Sequence, residues 1–251
     1  MKAIIVAAGM GRRLGSHTDE RPKCMVPVGG RPILERQVAA LRAHGVADIV
    51  VVRGYLGDRI TVPGLRFYEN AAYRQNNILA SLLCAAPELA GDLFFSYSDI
   101  VFHPDVVGAL VATPGEAALV IDRRWHLAYE GRTDHPVSEA ELASVEDERV
   151  LRVGKRAVPA AEAAGEFIGL ARFSAEVAGL IRSEYQRLAR APGLSAPFGD
   201  APRLESAYLT DMLNHLITAH GVAMRPAWID GMWREIDTVQ DLERAEKVIG
   251  W

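Results

Sequence analysis

Near the start of the chain, glycines and cations alternate in a way that suits a polyphosphate. The stretch reads Ala7-Ala8-Gly9-Met10-Gly11-Arg12-Arg13-Leu14-Gly15, followed by Arg21-Pro22-Lys23. A glycine backbone lets a phosphate approach closely and turns its N–H groups inward, while Arg12, Arg13 and Lys23 supply positive charge. The spacing is not the dinucleotide fingerprint, because the third glycine comes one residue late, and no Walker-type Gly-Lys-Ser/Thr is present. A triphosphate held this way also needs Mg²⁺, which prefers one or two carboxylates together with phosphate oxygens and water. Asp99, in Ser96-Tyr97-Ser98-Asp99, and Asp237, in Glu235-Ile236-Asp237-Thr238, are carboxylates at the ends of apolar segments. Asp237 also stands where an ordinary helix N-cap would stand.

Two further stretches carry recognition chemistry. In Tyr73-Arg74-Gln75-Asn76-Asn77-Ile78-Leu79-Ala80-Ser81-Leu82, side-chain amides can read a nucleobase edge, and Tyr55 lies after the preceding strand where a base could pack. Asn76 or Asn77 can equally cap the helix that follows, and one asparagine can do each job. From Asp122 to Pro136, and on to Gly154-Lys155 and Glu166-Phe167-Ile168-Gly169-Leu170, charges and aromatic rings are interleaved. A tetrahedral anion wants Arg, Lys and backbone donors, whereas an amine or hydroxyl wants a carboxylate or an aromatic face. Trp125, Tyr129, Arg132, Lys155 and Glu166 offer that mixture, although such a stretch can also be a solvated loop. The seven histidines show no metal-ligand spacing, His103-Pro104 and His135-Pro136 read as turns, and no Ser/His/Asp arrangement indicates a covalent nucleophile.

The glycine loop with its Arg-Pro-Lys resembles the signature of the sugar-nucleotidyltransferase-like superfamily, and the order of motifs matches from residue 1 to about residue 248. The resemblance implies that Ala7, Ala8, Gly9, Met10, Gly11 and Arg12 grip the triphosphate of an NTP. It also implies that Lys23 sits by the α-phosphate with Arg13 nearby, and that Asp99 and Asp237 hold Mg²⁺. The segment with Asn76, Asn77, Ile78 and Ser81 is more similar to the Asn-Asn-Ile/Phe-x-Ser-Leu element of the phosphocholine and phosphonate cytidylyltransferases than to the sugar-phosphate enzymes, which implies CTP. The strings Tyr129-Glu130-Gly131-Arg132-Thr133 and Gly165-Glu166-Phe167-Ile168-Gly169-Leu170 resemble the acceptor region of the phosphonate enzymes.

The expected reaction is therefore transfer of CMP from CTP to a small phosphonate, 2-aminoethylphosphonate or 2-hydroxyethylphosphonate, with release of pyrophosphate. Phosphocholine is the second candidate acceptor and a sugar 1-phosphate the third. Between Asp122 and Phe173 the aromatic residues are too few to promise a cage for a quaternary ammonium, whereas Arg123, Arg124, Arg132, Lys155 and Arg156 suit a compact dianion. A nucleotide-binding regulatory protein of the same fold would lack the carboxylates. A dinucleotide-dependent oxidoreductase would need an acidic residue at the end of the second strand, where Arg53 and Gly54 stand.

The elements that must position these groups can be read from the pattern. Ala3–Ala8 is apolar on both faces and ends in the glycine turn, as a central parallel strand does. A helix from about Pro32 carries Leu34, Val38 and Leu41 on one face; strands follow at Asp48–Val52, Leu65–Tyr68 and Leu93–Ser96, with a helix from Asn76 or Asn77 to Pro87 between the last two. Further strands are expected at Ala117–Asp122, Glu166–Phe173 and Met224–Trp228, and further helices at Ser174–Ala191, Ala207–His220 and after Asp237. Strands alternating with helices at this spacing predict one α/β domain over residues 1–251, a Rossmann-like three-layer fold with a mostly parallel central sheet. Ligands bind such sheets beyond the carboxyl ends of their strands. Residues from about 122 to 166 are expected to form an acceptor-binding insertion over that face.

With 251 residues, 49% of them hydrophobic and 24% charged, the chain can bury one large core and has no disordered tract. A net charge of -4 gives no field to gather nucleic acid or an anionic membrane, so a polyanion must be held locally. Cys24 and Cys84 read as reduced thiols. The apolar run from Met1 to Gly9 is too short for a signal peptide or a membrane span. A cytoplasmic enzyme is expected, its partners CTP and a small acceptor, with a homodimer left open.

Overall fold

In a computed structural model that describes residues 1–250, the sequence forms an α/β sandwich. Its elements in chain order begin with β1 (Lys2–Ala7), the short strands β2 (Pro27–Val28) and β3 (Arg31–Pro32), and α1 (Ile33–Ala43). Then come β4 (Asp48–Arg53), β5 (Arg66–Glu69), α2 (Ile78–Cys84), β6 (Leu93–Tyr97), β7 (Ile100–Phe102), α3 (Pro104–Ala112) and β8 (Ala117–Asp122). The second half holds α4 (His126–Tyr129), β9 (Glu141–Glu146), β10 (Arg149–Lys155), β11 (Gly165–Phe173), α5 (Ala175–Leu188), α6 (Leu209–His220), β12 (Met224–Ile229), β13 (Trp233–Glu235) and α7 (Val239–Val248).

Nine strands make the main sheet, in the order β10-β9-β11-β6-β1-β4-β5, with β8 and β12 beside β11. Parallel pairing of β1 with β4 and β6, of β4 with β5 and of β8 with β12, together with the antiparallel pairs made by β11, leaves only β10 and β11 against the common direction. The expected mostly parallel sheet is present. Its two-residue side-chain period divides the core in two. Ile4, Val6, Val50, Val52 and Phe95 face α2, α5 and α6, while Ala3, Ile5, Val51 and Phe94 face α1 and α3. Each such side chain, when fully buried, contributes roughly 1.5–3 kcal/mol relative to exposure.

The departures from the sequence reading are local and have causes. The fifth helix stops at Leu188 rather than Ala191, because Pro192 forces Ala191 out of the helical region, to φ −158°, ψ 118°. The sixth begins at Leu209 rather than Ala207, since Tyr208 is its extended N-cap and donates its N–H to Asp211 at 2.8 Å. Within the stretch expected as an insertion, β9 and β10 form a hairpin that joins the main sheet through β11. Ahead of that hairpin, Trp125 and Tyr129 pack with Ala140, Leu142 and Val158 as a separate small core. No helix among the described residues is long and apolar enough to cross a membrane.

Candidate active site

The loop after β1 turns at Gly11, where φ is +61° and a Cβ would lie 2.9 Å from the Cβ of Lys23. Only glycine allows both that backbone and that approach. The loop and Lys23, which follows Pro22 in a short 3₁₀ turn, are thereby brought to the carboxyl end of β1. Asp99 stands between β6 and β7, and Asp237 follows β13. β7 and β13 pair antiparallel, and the Ile236 N–H donates to the Asp99 carbonyl at 2.8 Å, which joins the two aspartates through the backbone. Thr238, not Asp237, caps α7: its hydroxyl accepts the Asp241 N–H at 3.1 Å. The side chain of Asp237 is therefore left for the cleft.

There the charges converge. The Lys23 ammonium donates to Asp99 at 2.9 Å and to Asp237, Arg13 donates to Asp237, and His135 Nδ1 lies 3.2 Å from the same carboxylate. Burial by itself would lower the Lys23 pKa, but the carboxylates of Asp237 and Asp99 outweigh it and raise the value, so the amine stays charged. Burial would likewise raise Asp237, yet Lys23, His135 and Arg13 hold it below the ordinary carboxylate range. Asp99 Oδ1 is buried without a hydrogen-bond partner. An orphaned carboxylate oxygen beside a second carboxylate is a donor set suited to a hard divalent cation.

Two cavities share this centre. The first, of about 370 Å³, is lined by Ala8, Gly9, Met10, Gly11, Arg12, Arg13 and Lys23 on one side and by Tyr73, Asn76, Asn77 and Ser81 on the other. Asn77 caps α2, its Oδ1 accepting the Ile78 N–H at 2.8 Å. Asn76 is held by Asn70, which donates to its Oδ1 and to the Ser81 hydroxyl, both at 2.8 Å. Asn70 is a residue that the sequence motif did not single out. Ala7 lies in the core. Tyr55 does not line this cavity; its ring centroid is 6.4 Å from that of Tyr73 and its hydroxyl donates to the Thr18 carbonyl.

The second cavity, about 270 Å³, lies on the other side of Asp99 and Asp237. Its walls include Tyr97, Glu139, Glu141, Lys155, Glu166, Phe167, Tyr208, Trp233 and Glu235. Glu166 and Lys155, expected there, are present. Trp125 and Tyr129 sit one layer behind, where the Tyr129 hydroxyl donates to Glu166 Oε1 at 2.7 Å. Arg132 is also behind the wall. Its guanidinium is buried, donating at 2.6 and 2.9 Å to Asp241 and at 2.9 Å to Glu235, and loss of one member of such a buried set costs about 3–5 kcal/mol. An Arg132 committed to two carboxylates is not available to an acceptor anion.

The expected basic acceptor surface is not what the fold assembles. Arg123 lies over the Trp228 ring, Lys155 is paired with Glu139 at 2.9 Å, and Arg156 is 77% exposed at its side chain. Carboxylates and rings converge instead. Glu141 and Glu166 are buried and both are pushed upward by burial, Glu141 to about 7. The Tyr97 hydroxyl donates to Glu141 at 3.0 Å, whereas Glu166 Oε2 faces no donor. Gly169 makes room for this arrangement: at φ +84°, its Cβ would lie 2.2 Å from the Tyr97 ring.

A glycine loop with two arginines, a lysine between two aspartates and a second cavity against the same centre fit a nucleotidyltransferase. The pattern of the MobA-like NTP transferase domain matches residues 3–152, and the chain belongs to that family. Among its relatives, the CTP:phosphoglutamine cytidylyltransferase of Campylobacter jejuni is 33% identical over 254 residues, covering 97% of this chain and 98% of the relative. The CMP-5'-(3-aminopropyl)phosphonate synthase of Streptomyces rubellomurinus is 34% identical over 131 residues, 49% of this chain and 21% of that protein. Among solved structures, the CTP:phosphocholine cytidylyltransferase of Streptococcus pneumoniae shares the fold with a TM-score of 0.74 at 23% identity, over 99% of this chain and 98% of that one.

Proposed function

We propose that this protein transfers CMP from CTP to a small acceptor that joins a phosphoryl or phosphonyl group to a cationic amine, releasing pyrophosphate. The observation that carries this reading is the buried Glu166, whose Oε2 has no partner, beside the buried Glu141 in the second cavity. Two buried carboxyl groups among Tyr97, Phe167, Tyr208 and Trp233 suit an ammonium, which would hold them ionised against the burial that otherwise favours their neutral form and gains from the ring faces as well. Relatives named for phosphoglutamine, 3-aminopropylphosphonate, 2-aminoethylphosphonate and phosphocholine all act on compounds with a nitrogen of that kind. The amine-free 2-hydroxyethylphosphonate and sugar 1-phosphates fit this wall less well. All four of those relatives are named for CTP or CMP chemistry, and the Asn76, Asn70 and Ser81 wall offers amides and a hydroxyl to a base edge.

In this account an anionic oxygen of the acceptor attacks the α-phosphorus of CTP, and the bond to the bridging oxygen of the leaving pyrophosphate breaks. The attacking oxygen carries no proton near neutral pH, so no general base is needed and positioning with charge neutralisation does the catalysis. Lys23 would neutralise charge growing at the α-phosphate, and Arg12, Arg13 and the loop N–H groups would hold the pyrophosphate. Arg13 and Lys155, the two cations lining the second cavity, would face the acceptor's anionic group. Asp99 and Asp237 would hold Mg²⁺, which supplies neutralisation of the triphosphate when bound.

Glu166→Gln tests the amine reading directly. It keeps an acceptor for the Tyr129 hydroxyl but removes the charge, and a charged hydrogen bond of about 1.5–3 kcal/mol corresponds to roughly a 10- to 100-fold rise in the acceptor KM. The KM for CTP should stay within about twofold, because Glu166 does not line the first cavity. In the wild type, the acceptor KM should also rise as the pH is lowered through about 7, where Glu141 takes up a proton. An unchanged acceptor KM in Glu166→Gln sinks the assignment.

A further inference from the structure

Three side chains from two helices, none of them lining either of the two cavities above, aim their ligating atoms at one spot. Glu184 lies on α5, and His215 and His220 lie on α6, of which His220 is the last residue. His215 Nε2 is 3.0 Å and His220 Nε2 3.3 Å from the same Glu184 Oε2, and the three ligating atoms all lie within 4.8 Å of one another. We propose that Glu184, His215 and His220 form a zinc site, separate from the reaction centre.

Two imidazole nitrogens and one carboxylate oxygen are a ligand set that suits Zn²⁺, with a water completing four-coordination. The set is held before any ion arrives. The His215 and His220 ring centroids are 5.4 Å apart, and the Phe198 ring packs on His215, also at 5.4 Å. Glu184 is ionised, held down to about 2, principally by Arg187. Arg187 donates its Nε to both Oε1 and Oε2 at 3.2 Å and its Nη2 to Oε2 at 2.8 Å. Its side chain is 57% exposed, so the guanidinium can swing to donate to Oε1 alone and leave Oε2 to the ion, as outer partners of ligating carboxylates do. The only other group of this kind among the described residues, His135 with Glu235 and Asp237, belongs to the reaction centre.

The position gives the ion a structural consequence. The helix α6 that ends in His220 also carries Thr210, Asp211 and Asn214, which line a third cavity of about 570 Å³ sharing Lys155 and Tyr208 with the acceptor cavity. Zinc between α5 and α6 would tie down that floor and, through Phe198, the segment before α6.

The test is calorimetric titration of Zn²⁺ into chelator-stripped protein near neutral pH, with Co²⁺ absorption as a second readout. The expected result is one site whose affinity falls by at least ~10-fold in both His215→Ala and His220→Ala, as loss of a ligand requires. Zinc should raise the Tm of the wild type and not of either variant. Affinity should fall as pH is lowered, because imidazole ligands must be neutral. Far-UV circular dichroism of the stripped variants, His220 being at a helix end, separates lost ligation from lost fold. Zinc binding that is absent, or equal in wild type and both histidine variants, overturns the proposal.

Discussion

Replacing Lys23 by alanine should lower kcat/KM by at least ~10²-fold, because a charge contact made to the transition state contributes about 3 kcal/mol or more. The geometry makes this residue hard to substitute. Its ammonium lies between Asp99 and Asp237, and Gly11 brings the loop against its side chain. Lys23→Arg keeps the charge but not the compact shape, and should recover little of the loss. Removal of the cation also leaves two facing carboxylates, so the Tm of each variant is to be read beside its rate. A Lys23→Ala enzyme with more than half of the wild-type turnover would refute the assignment.

Asp237→Asn should lower kcat/KM by a similar ~10²-fold and raise the Mg²⁺ concentration for half-maximal rate by about tenfold or more, since an amide leaves the cation underneutralised. Asp99→Asn should have the smaller effect: Asp99 meets Lys23 alone, whereas Asp237 meets Lys23, Arg13 and His135. A stability difference accompanies it. Asp237 has its folded pKa depressed, so its contribution is present above the unfolded value of about 3.9 and lost as pH falls below it. The Tm gap between wild type and Asp237→Asn should therefore be full at pH 7 and close in acid. A half-maximal Mg²⁺ concentration unchanged in both aspartate variants would move the metal to other ligands.

The first cavity was largely legible because the parts of its glycine-loop wall are contiguous in the chain. The glycine loop, Arg12, Arg13 and Lys23 lie within one stretch of the chain. Asp99 and Asp237 are far apart in sequence and were joined only by resemblance; the β7–β13 pairing that joins them in space involves strands too short to read. The second cavity was legible only in part, in Lys155 and Glu166, for a related reason. Its basic residues cluster in sequence, which suggested an anion site, but pairing with Asp241, Glu235, Glu139 and Trp228 occupies or turns away most of them. Of the rings that line the cavity, Tyr97, Tyr208 and Trp233 come from outside residues 122–173, and no local pattern links them.

His135 shows the same limit from the other side. Followed by Pro136 it reads as a turn, and it is indeed outside any helix or strand, yet it is buried against Asp237 and Glu235. Likewise His215 and His220 are five apart, which one helix face does not bring together, and their partner carboxylate comes from α5. Side chains that meet through tertiary packing leave no periodic trace in the sequence.

The central claim, CMP transfer to an amine-bearing phosphoryl or phosphonyl acceptor, is tested most directly by a matrix of substrates. Each of the four NTPs with Mg²⁺ is offered together with phosphoglutamine, 2-aminoethylphosphonate, phosphocholine, 2-hydroxyethylphosphonate and glucose 1-phosphate. Pyrophosphate release and the ³¹P spectrum of the adduct are followed. The account predicts CTP as the donor, with kcat/KM for at least one nitrogen-bearing acceptor about tenfold or more above both amine-free ones, as the loss of a charged contact to buried carboxylates requires. Preference for another NTP, or a tenfold higher kcat/KM for 2-hydroxyethylphosphonate or glucose 1-phosphate than for every nitrogen-bearing acceptor, would contradict it.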